Sequence, residues 1–400
     1  MAITITQEPT QYWPVCNDVE WVFTSTNTGQ ANFSFVIEFK VNGFIHSTHE
    51  VYPESGNAGK FGITTIGRSI STSNVPNQQN LSDELNALNT FSILIYEKYG
   101  TPPTIYIATS TASSGIRFLN GSLRYDEIYP QWTPVKYDIN LWPRGELFLT
   151  EFPRNRKEFV RYDESKFLSI INSGGGNATV EVKLYTITNS LIATATFNAT
   201  IGLSVPMLSV GPFRLVADTS LTLSNFTNCY YYTVRIYQTS TPTKTSEAYK
   251  LYYDQSCTRY APQRLFWLNR YGAWDSFTFN LLSEESTDTD INRYSKSTGQ
   301  WSGSTYSHSL ASGEQMVMSK RSIDRLILNT DWIHEDVQQW LVRELYESPR
   351  VYLHLNQSII YIEPVIITNT QTVLKQRKKA GLIQEQITIE KSYTKVSQLG

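Results

Sequence analysis

The chain has 400 residues, with 34 basic and 36 acidic side chains and a formal net charge of −2. This length exceeds that of one ordinary core and predicts two or three domains. The nearly balanced charge excludes the global field with which a chain attracts nucleic acid or an anionic membrane. No run of about 18 apolar residues occurs, so the sequence predicts no membrane span.

The surface composition favours contacts with other proteins. Charged residues make up 18% of the chain, below the roughly 25% of average proteins, and tyrosine occurs 25 times. Such a surface can pack against neighbours without desolvating many charges. The first residues, MAITITQEPTQYW, lack the basic and apolar regions of a signal peptide, so we expect no export by that route. Cys16, Cys229 and Cys257 are widely spaced, and we expect small buried thiols.

Residues 1–140 are predicted to form an N-terminal β-sandwich domain with long loops. Phe33, Phe35, Ile37, Phe39 and Val41 alternate with polar residues, which is typical of a half-buried strand. The segments 54–80 and 110–122 are longer than the loops of a compact domain. We therefore predict that both segments are contact arms toward neighbouring subunits.

Residues 141–262 are predicted to form an Ig-like or fibronectin-like β-sandwich. Short apolar runs recur there at the spacing of sandwich strands and are separated by turn residues. The predicted strands are 147–149, 167–171, 180–184, 191–197, 213–216 and 230–237. A fold of this kind says little about function.

Residues 263–400 are predicted to form an α+β module. The polar segment from Glu284 to Gly313 is expected to be a solvated loop. A helix is predicted over 332–346, with an apolar face at 3.6-residue spacing, acids in its first turn and Pro349 behind it. Four strands are predicted to follow it. The fold class is therefore mainly β, with tandem β-sandwich domains and a C-terminal sheet-and-helix module.

Residues 257–280 read CTRYAPQRLFWLNRYGAWDSFTFN and carry the densest group of large aromatic side chains in the chain. Each of these can remove about 150 Å² or more from water, and Asn269–Gly272 has the composition of a turn. The block is therefore predicted to be a buried corner that serves the architecture. Its aromatic members are Phe266, Trp267, Tyr271, Trp274, Phe277 and Phe279.

This block resembles segments of virion proteins of tailed bacteriophages, including crAss-like phages of Bacteroidetes hosts. The resemblance extends over much of the chain but is loose, because it is carried by hydrophobic alternation and turns. It implies a structural role in a tail or a neck-tail junction. The other segments that carry it are Trp13–Val15, Glu20–Phe23, Phe33–Val41 with Asn42-Gly43, Gly59–Ile66 and Phe91–Tyr99.

Few residues suggest chemistry, and we predict no catalytic, cofactor-binding or metal-binding residue and no small-molecule substrate. His46 and His49 would lie on opposite faces of a strand, and Ser302 is out of place for a nucleophile elbow. The acidic cluster Glu284, Glu285, Asp288 and Asp290 is the nearest approach to a glycosidase carboxylate pair. Its Ser/Thr-rich surroundings favour a solvated loop over a rigid catalytic pocket.

Two sets of residues are candidates for intermolecular contact. Lys375, Arg377, Lys378 and Lys379 lie together at what reads as a hairpin tip. They could meet phosphates of packaged DNA or an acidic partner, or they could form a charged turn that discourages edge pairing. Trp301 is a candidate for stacking on sugars if the chain belongs to a tail fibre.

The sequence thus predicts a non-enzymatic virion protein of the tail or neck-tail region. We expect it to be synthesised in the host bacterial cytoplasm and to assemble as a homo-oligomeric ring with other virion proteins. The alternative is a glycan-binding or receptor-binding module of a tail fibre. A glycan-cleaving enzyme is a further alternative and requires two carboxylates in a cleft.

Overall fold

The structure is a computed structural model of the chain. It describes residues 3–54, 56–76, 81–84, 88–128, 134–141, 147–201, 205–257, 259–309, 311, 313–356, 361–369, 373 and 382–396. Most of these residues lie in antiparallel strands, so the predicted mainly β class with tandem β-sandwiches and a C-terminal sheet-and-helix module is confirmed.

The described residues fall into two compact units. The first comprises 1–255 together with 268–275, and the second comprises 256–267 together with 276–400. The first unit contains two separate hydrophobic cores, one built from residues between Ile3 and Phe118 and one from residues between Ile139 and Leu251. The predicted domain boundaries at residues 140 and 262 stay a prediction.

The N-terminal core lies between two sheets. Strands β1, β3 and β6 form one sheet, and β2, β10, β8, β4 and β5 form the other, with β9 paired to β8. Phe23 of the first sheet meets Phe35 of the second with ring centroids 4.8 Å apart. The elements here are β1 (Ile3–Gln7), β2 (Trp13–Pro14), β3 (Glu20–Ser25), β4 (Ser34–Val41), β5 (Phe44–Val51), β6 (Ala58–Gly62), α1 (Thr64–Ile70), β7 (Ser82–Glu84), β8 (Leu88–Tyr99), β9 (Thr104–Ala112), β10 (Ile116–Leu119) and α2 (Tyr125–Ile128).

The second core of this unit lies between a five-stranded sheet, in the order β11-β17-β16-β13-β14, and the small sheet β12-β15-β7. Leu215 of α3 and Phe226 of α4 complete it. The elements are a 3₁₀ turn (Pro134–Tyr137), β11 (Phe159–Val160), β12 (Phe167–Ser169), β13 (Gly176–Tyr185), β14 (Leu191–Ile201), β15 (Pro206–Ser209), α3 (Pro212–Asp218), α4 (Leu223–Thr227), β16 (Tyr231–Gln238) and β17 (Tyr249–Tyr253).

The C-terminal part is built on an eight-stranded sheet in the order β19-β18-β25-β26-β28-β23-β20, with β29 paired to β23. Trp340 of α5 packs against Trp267 with ring centroids 5.1 Å apart. The elements are β18 (Gln263–Leu268), β19 (Trp274–Phe279), β20 (Glu284–Ser295), β21 (Gly299–Ser302), β22 (Thr305–His308), β23 (Gln315–Asn329), β24 (Ile333–His334), α5 (Glu335–Glu344), β25 (Val351–Asn356), β26 (Tyr361–Ile367), β27 (Leu382–Ile383), β28 (Gln386–Lys391) and β29 (Lys395–Val396).

Residues 263–279 of the aromatic block form the β18–β19 hairpin, and the large aromatic side chains of this hairpin are buried except the half-buried Phe277. The turn at Asn269–Gly272 is closed by a backbone hydrogen bond from the Gly272 amide to the Asn269 carbonyl, 2.9 Å long. Within the first unit, the indole of Trp274 donates to the Asn74 carbonyl at 2.8 Å. The predicted buried corner is therefore confirmed.

Four predicted segments are wrong. Phe213–Val216 lies in helix α3 and not in a strand, because Pro212 occupies the first helical position, where its missing amide proton costs nothing. The predicted loop at 54–80 contains β6 and α1, and the predicted loop at 110–122 contains the end of β9 and all of β10. The segment from Glu284 to Gly313, predicted to be a solvated loop, contains β20, β21 and β22.

The predicted helix over 332–346 exists but is shorter. It runs from Glu335 to Glu344, because Ile333 and His334 are extended and pair with β27. Cys257 is exposed, contrary to the expectation of buried thiols, whereas Cys229 is buried and Cys16 is half-buried. No helix in the described part of the chain has the length and apolar character required to cross a bilayer.

Candidate functional site

The most unusual feature of the described structure is a long two-stranded ribbon formed by β20 and β23. Its register runs from Glu284 opposite Ile327 to Ser295 opposite Gln315, with one irregularity between Asn292 and Arg293. Twelve residues at about 3.4 Å each give β20 a length of about 40 Å. We call this pair, together with β21 and β22 at its end, the ribbon.

The ribbon exposes both of its faces. Eleven of the 12 residues of β20 are exposed, and only Ile291 is half-buried. β23 is likewise exposed from Gln315 to Arg321, except for the half-buried Ser319. It then enters the sheet, where Leu326 and Leu328 are buried. A two-stranded hairpin without a covered face is at best marginally stable in water. The part of the ribbon beyond Arg321 therefore has no covering layer on either face in the described structure.

The predicted residue Trp301 lies at the ribbon's end. It is 72% exposed and faces Tyr306 across the β21–β22 pair, with ring centroids 5.2 Å apart. Tyr306 stacks in turn on His308 at 6.1 Å. Gly299 permits this arrangement, because a Cβ atom there would lie 2.0 Å from the hydroxyl oxygen of Tyr306. The three rings form an exposed aromatic platform.

The acidic cluster lies on this strand and does not converge in a cleft. Strand alternation places Glu284, Asp288 and Asp290 on one face and Glu285 on the other. Asp288 forms an ion pair with Arg325, and Glu285 forms one with Lys391 at 3.1 Å. The described geometry therefore gives these carboxylates a role in joining strands at the base of the ribbon.

The base of the ribbon is tied to the sheet by further ion pairs. Lys395 contacts Asp324 at 2.6 Å, and Arg325 contacts Glu390 at 2.7 Å. The hydrogen bond from Lys395, together with one from Thr287, lowers the pKa of the Asp324 carboxyl. These charges are satisfied within the chain and hold the ribbon where it leaves the sheet.

A second polar cluster, which sequence reasoning missed, is buried in the first unit. The amine of Lys166 lies 2.5 Å from Glu158, and the Tyr249 hydroxyl donates to the other Glu158 oxygen at 2.6 Å. Asp275 belongs to the same cluster and accepts a hydrogen bond from Asn269 at 3.0 Å. Burial raises the pKa of the Asp275 carboxyl and, well above its usual value, that of the Tyr249 hydroxyl.

This cluster has the residue types of an active site but is closed to solvent. Lys166 is 0% exposed, Asp275 1% and Glu158 5%. A substrate would have no access to these groups, whereas the ion pair and hydrogen bonds hold together segments distant in sequence. The sequence signal was weak, because a single lysine before the apolar run Phe167–Ile171 does not indicate its partners.

The remaining candidate residues are the four basic residues of the predicted hairpin tip, the possible metal ligands and the three cysteines. Lys375, Arg377, Lys378 and Lys379 lie outside the described residues. Within the part that is described, no group of three or more His, Cys, Asp or Glu side chains has the geometry to hold a metal ion. The three cysteines are unpaired, and burial raises the pKa of Cys229 to about 12, which makes its thiol inert at neutral pH.

Comparisons with known proteins yield only weak similarities. No family model and no curated protein matches the chain. Among solved structures, the calcium binding domain CBD12 of CALX1.1 aligns at 8% identity over 59% of this chain and 79% of that one, with a TM-score of 0.20. A complex of Dpr2 Ig1-Ig2 with DIP-Theta Ig1-Ig3 aligns at 8% identity over 82% and 94%, with a TM-score of 0.21. Scores this low indicate neither a shared topology nor a shared function.

Proposed function

We propose that this chain is a structural component of a bacteriophage virion, a tail or neck-tail ring or hub protein that assembles through protein–protein contacts. The observation that supports this proposal is the ribbon, with β20 exposed along almost its whole length. Ordering a backbone costs about 1–2 kcal/mol per residue, and a ribbon without a covered face recovers little of this by burial. Contact with a partner in an assembly supplies the missing burial.

Two features of the sequence point in the same direction. The resemblance to virion proteins of tailed phages includes the aromatic block, which forms a buried hairpin. The chain is also poor in charge, at 18%, and rich in tyrosine. Tyrosine is enriched at protein interfaces and charged residues are depleted in their centres. We place the chain in the tail region of the virion, after synthesis in the host cytoplasm.

Quantitative mass spectrometry of purified phage particles tests this proposal. Particles from cells that express this gene should contain the chain at a constant copy number relative to the major capsid protein, through successive gradient and size-exclusion steps. An abundant host cytosolic protein serves as the control and should decline at each step. Absence of the chain from particles, or a ratio that falls with that of the host protein, would overturn the proposal.

A glycan-binding or receptor-binding function is the second candidate, and the aromatic platform favours it. Trp301 presents a large amphipathic ring to solvent, and such rings provide rigid contact area with a polar edge. Glycan-array binding that is lost in Trp301→Ala would support this function. Trp332→Ala is the matched control, because Trp332 is also exposed but lies outside the ribbon. A wild-type chain that binds no glycan would exclude the sugar-binding form of this candidate.

A further inference from the structure

The ribbon differs in charge and in strand pairing between its base and its outer end, and both differences begin near Asp290 of β20 and Arg321 of β23. Strand β29 pairs with β23 only at Arg321 and Ser322, and the last acid of β20 is Asp290. Beyond these positions, no described strand pairs with either outer edge of the ribbon. We call residues 291–320 the distal ribbon.

The distal ribbon carries a net positive charge, whereas its base is acidic and internally paired. Its charged residues are Arg293, Lys296, Lys320 and Glu314, so its net charge is +2 (three basic minus one acidic). The rest of the chain then has 31 basic and 35 acidic residues, a net charge of −4. The distal ribbon and the remainder of the chain therefore attract each other when they belong to different molecules.

Exposed apolar side chains are concentrated in this same segment. At about 200 Å² each and roughly half exposed, they present on the order of 600 Å² of surface. Summed over both faces of the ribbon, this area approaches the ~800 Å² per partner of a stable interface. Tyrosine, tryptophan and methionine are also the residue types enriched at interfaces. The side chains are Tyr294, Trp301, Tyr306, Met316, Val317 and Met318.

We propose that the distal ribbon docks on the acidic remainder of a second copy of this chain, so that each subunit gives its ribbon to one neighbour and receives one from another. The inference rests on the proposed assembly function and specifies its contact. Such a head-to-tail contact is heterologous and generates a ring when the rotation between subunits closes. The apolar side chains lie on both faces of the ribbon, so the partner surface encloses the ribbon and does not merely abut one side.

The charge pattern of the distal ribbon favours a protein partner over DNA or an anionic lipid surface. Affinity for duplex DNA comes largely from Lys and Arg residues that neutralise phosphates, and the distal ribbon has only three basic residues spread along its length. Recognition of anionic lipid headgroups uses clusters of about four to eight Lys or Arg residues. Three dispersed cations among apolar side chains fit a protein surface with a few matching acids.

Site-specific photo-crosslinking of the full chain tests this contact. The photoreactive residue p-benzoylphenylalanine replaces Trp301, and unlabelled chains are mixed with ¹⁵N-labelled chains before irradiation. We expect adducts of twice the chain mass whose cross-linked peptides combine the two labels and map outside residues 291–320. The same photoreactive residue at Trp332, which is exposed outside the distal ribbon, is the comparison, and any intermolecular adduct from it should map to residues 291–320 of the second chain. Cross-links confined to single chains, at any concentration reached, would overturn the proposal.

A variant pair measures the strength of the contact. Trp301→Ala/Met318→Ser should weaken self-association by about tenfold or more, since truncated interface aromatics often cost over 1 kcal/mol. Ile187→Ser removes an equally exposed apolar side chain from the first unit and should weaken self-association less than the double variant does. Both variants should retain the wild-type unfolding curve, because all three side chains are exposed. Equal self-association of the double variant and the wild type would contradict the proposal.

The failure of this inference can be distinguished from failure of the proposed function. A chain present in virions at constant copy number but without intermolecular adducts at position 301 would refute the docking contact alone. A chain that forms the adducts but is absent from particles would refute the virion role alone. Binding to double-stranded DNA, anionic phosphatidylserine vesicles or glycans that Trp301→Ala abolishes, without chain–chain adducts, would assign the distal ribbon to that other occupant.

Discussion

Two long antiparallel strand pairs in this molecule share the same backbone hydrogen-bonding pattern but differ in how much of their side-chain surface is buried. In the second sandwich, β13 pairs with β16, and Val180, Val182 and Leu184 are all fully buried on one face. In the ribbon, β20 pairs with β23 over a longer stretch, yet β20 buries no side chain. Hydrogen bonding is thus sufficient to align strands, whereas apolar alternation decides whether a pair becomes core.

The same contrast appears in the charged groups. The Lys166–Glu158 pair and the Lys395–Asp324 pair have nearly the same separations, 2.5 and 2.6 Å. The first pair is buried, whereas the Lys395 side chain is 71% exposed. Removal of Lys166 leaves the Glu158 charge buried without its cation, whereas removal of Asp324 leaves Lys395 hydrated by solvent. The energetic consequences should therefore differ by several-fold.

The largest effect is expected for Lys166→Met, which leaves Glu158 buried without its cation. We expect the free energy of unfolding to fall by about 3–5 kcal/mol. Urea denaturation of the full chain, followed by tryptophan fluorescence, measures this. The control Lys166→Met/Glu158→Met removes both charges and should recover most of the loss. A single variant that loses less than about 1 kcal/mol would show that the pair is not desolvated in solution.

A pH dependence is expected from His354 in the second unit. Its ring is buried against Phe266, 5.6 Å between centroids, and burial, with a smaller contribution from Arg264, lowers its pKa to about 4. In the unfolded chain the pKa is about 6.5. Between pH 6.5 and 4 the unfolded state therefore binds a proton that the folded state does not, so stability falls as the pH falls.

The expected loss from this histidine is roughly 3 kcal/mol on going from pH 7 to pH 4, at about 1.4 kcal/mol per pKa unit. Other groups titrate in this range, so the informative quantity is the difference between the wild type and His354→Leu. Unfolding midpoints measured from pH 7 to pH 4 should decline less steeply in the variant. Parallel curves for the two proteins would mean that His354 is accessible to protons in the folded state.

A smaller effect is expected for Gly272→Ala at the turn of the aromatic hairpin. Gly272 has φ of +78°, and an added Cβ would lie 2.2 Å from the Asn120 carbonyl oxygen, within the same unit. We expect a loss of about 2–3 kcal/mol in thermal or urea unfolding, from backbone strain and the steric conflict together. Gly303→Ala at the ribbon's end is matched in φ, +62°, but has open space around it.

The Gly303 variant isolates the cost of the left-handed backbone, about 1 kcal/mol. Its loss in the same unfolding measurement should be smaller than that of Gly272→Ala, because no neighbouring atom obstructs the added methyl group. Equal losses in the two variants would indicate that the hairpin turn accommodates the methyl group by shifting away from Asn120.

Apolar periodicity in the sequence correctly predicted those strands and helices that bury one face in a core. The alternation of Phe35, Ile37 and Phe39 correctly predicted a buried strand face, and the helical spacing of Val337 and Trp340 predicted the buried face of α5. These signals are local, since each element's own residues record which face is covered. The aromatic block was predicted for the same reason.

The ribbon and the buried cluster could not be predicted in this way. Nine of the 12 residues of β20 are Glu, Ser, Thr, Asp or Asn, and its strand conformation is imposed by pairing with β23, which the local pattern does not record. The helix α3 was missed because its short apolar run fits either period. Lys166 finds Glu158, Tyr249 and Asp275 only through the tertiary fold. Trp301 was singled out by residue type, and its exposed position became visible only in the structure.

The smallest effect is expected at the base of the ribbon. It tests most directly the contrast between the buried core and the exposed ribbon. Arg325 contacts Asp288 and Glu390 but is 43% exposed, so Arg325→Ala should cost less than about 1 kcal/mol in urea unfolding. Arg264 is its buried counterpart in the same unit and donates to the hydroxyls of Ser276 and Thr278. Arg264→Ala should cost at least twice as much, because the buried Ser276 hydroxyl and the half-buried Thr278 hydroxyl lose their donor. If the two substitutions cost the same, the ribbon's base would be as desolvated as the core. The polar residues at the base of the ribbon would then belong to the folded interior of the second unit, and only the distal ribbon would be an exposed extension.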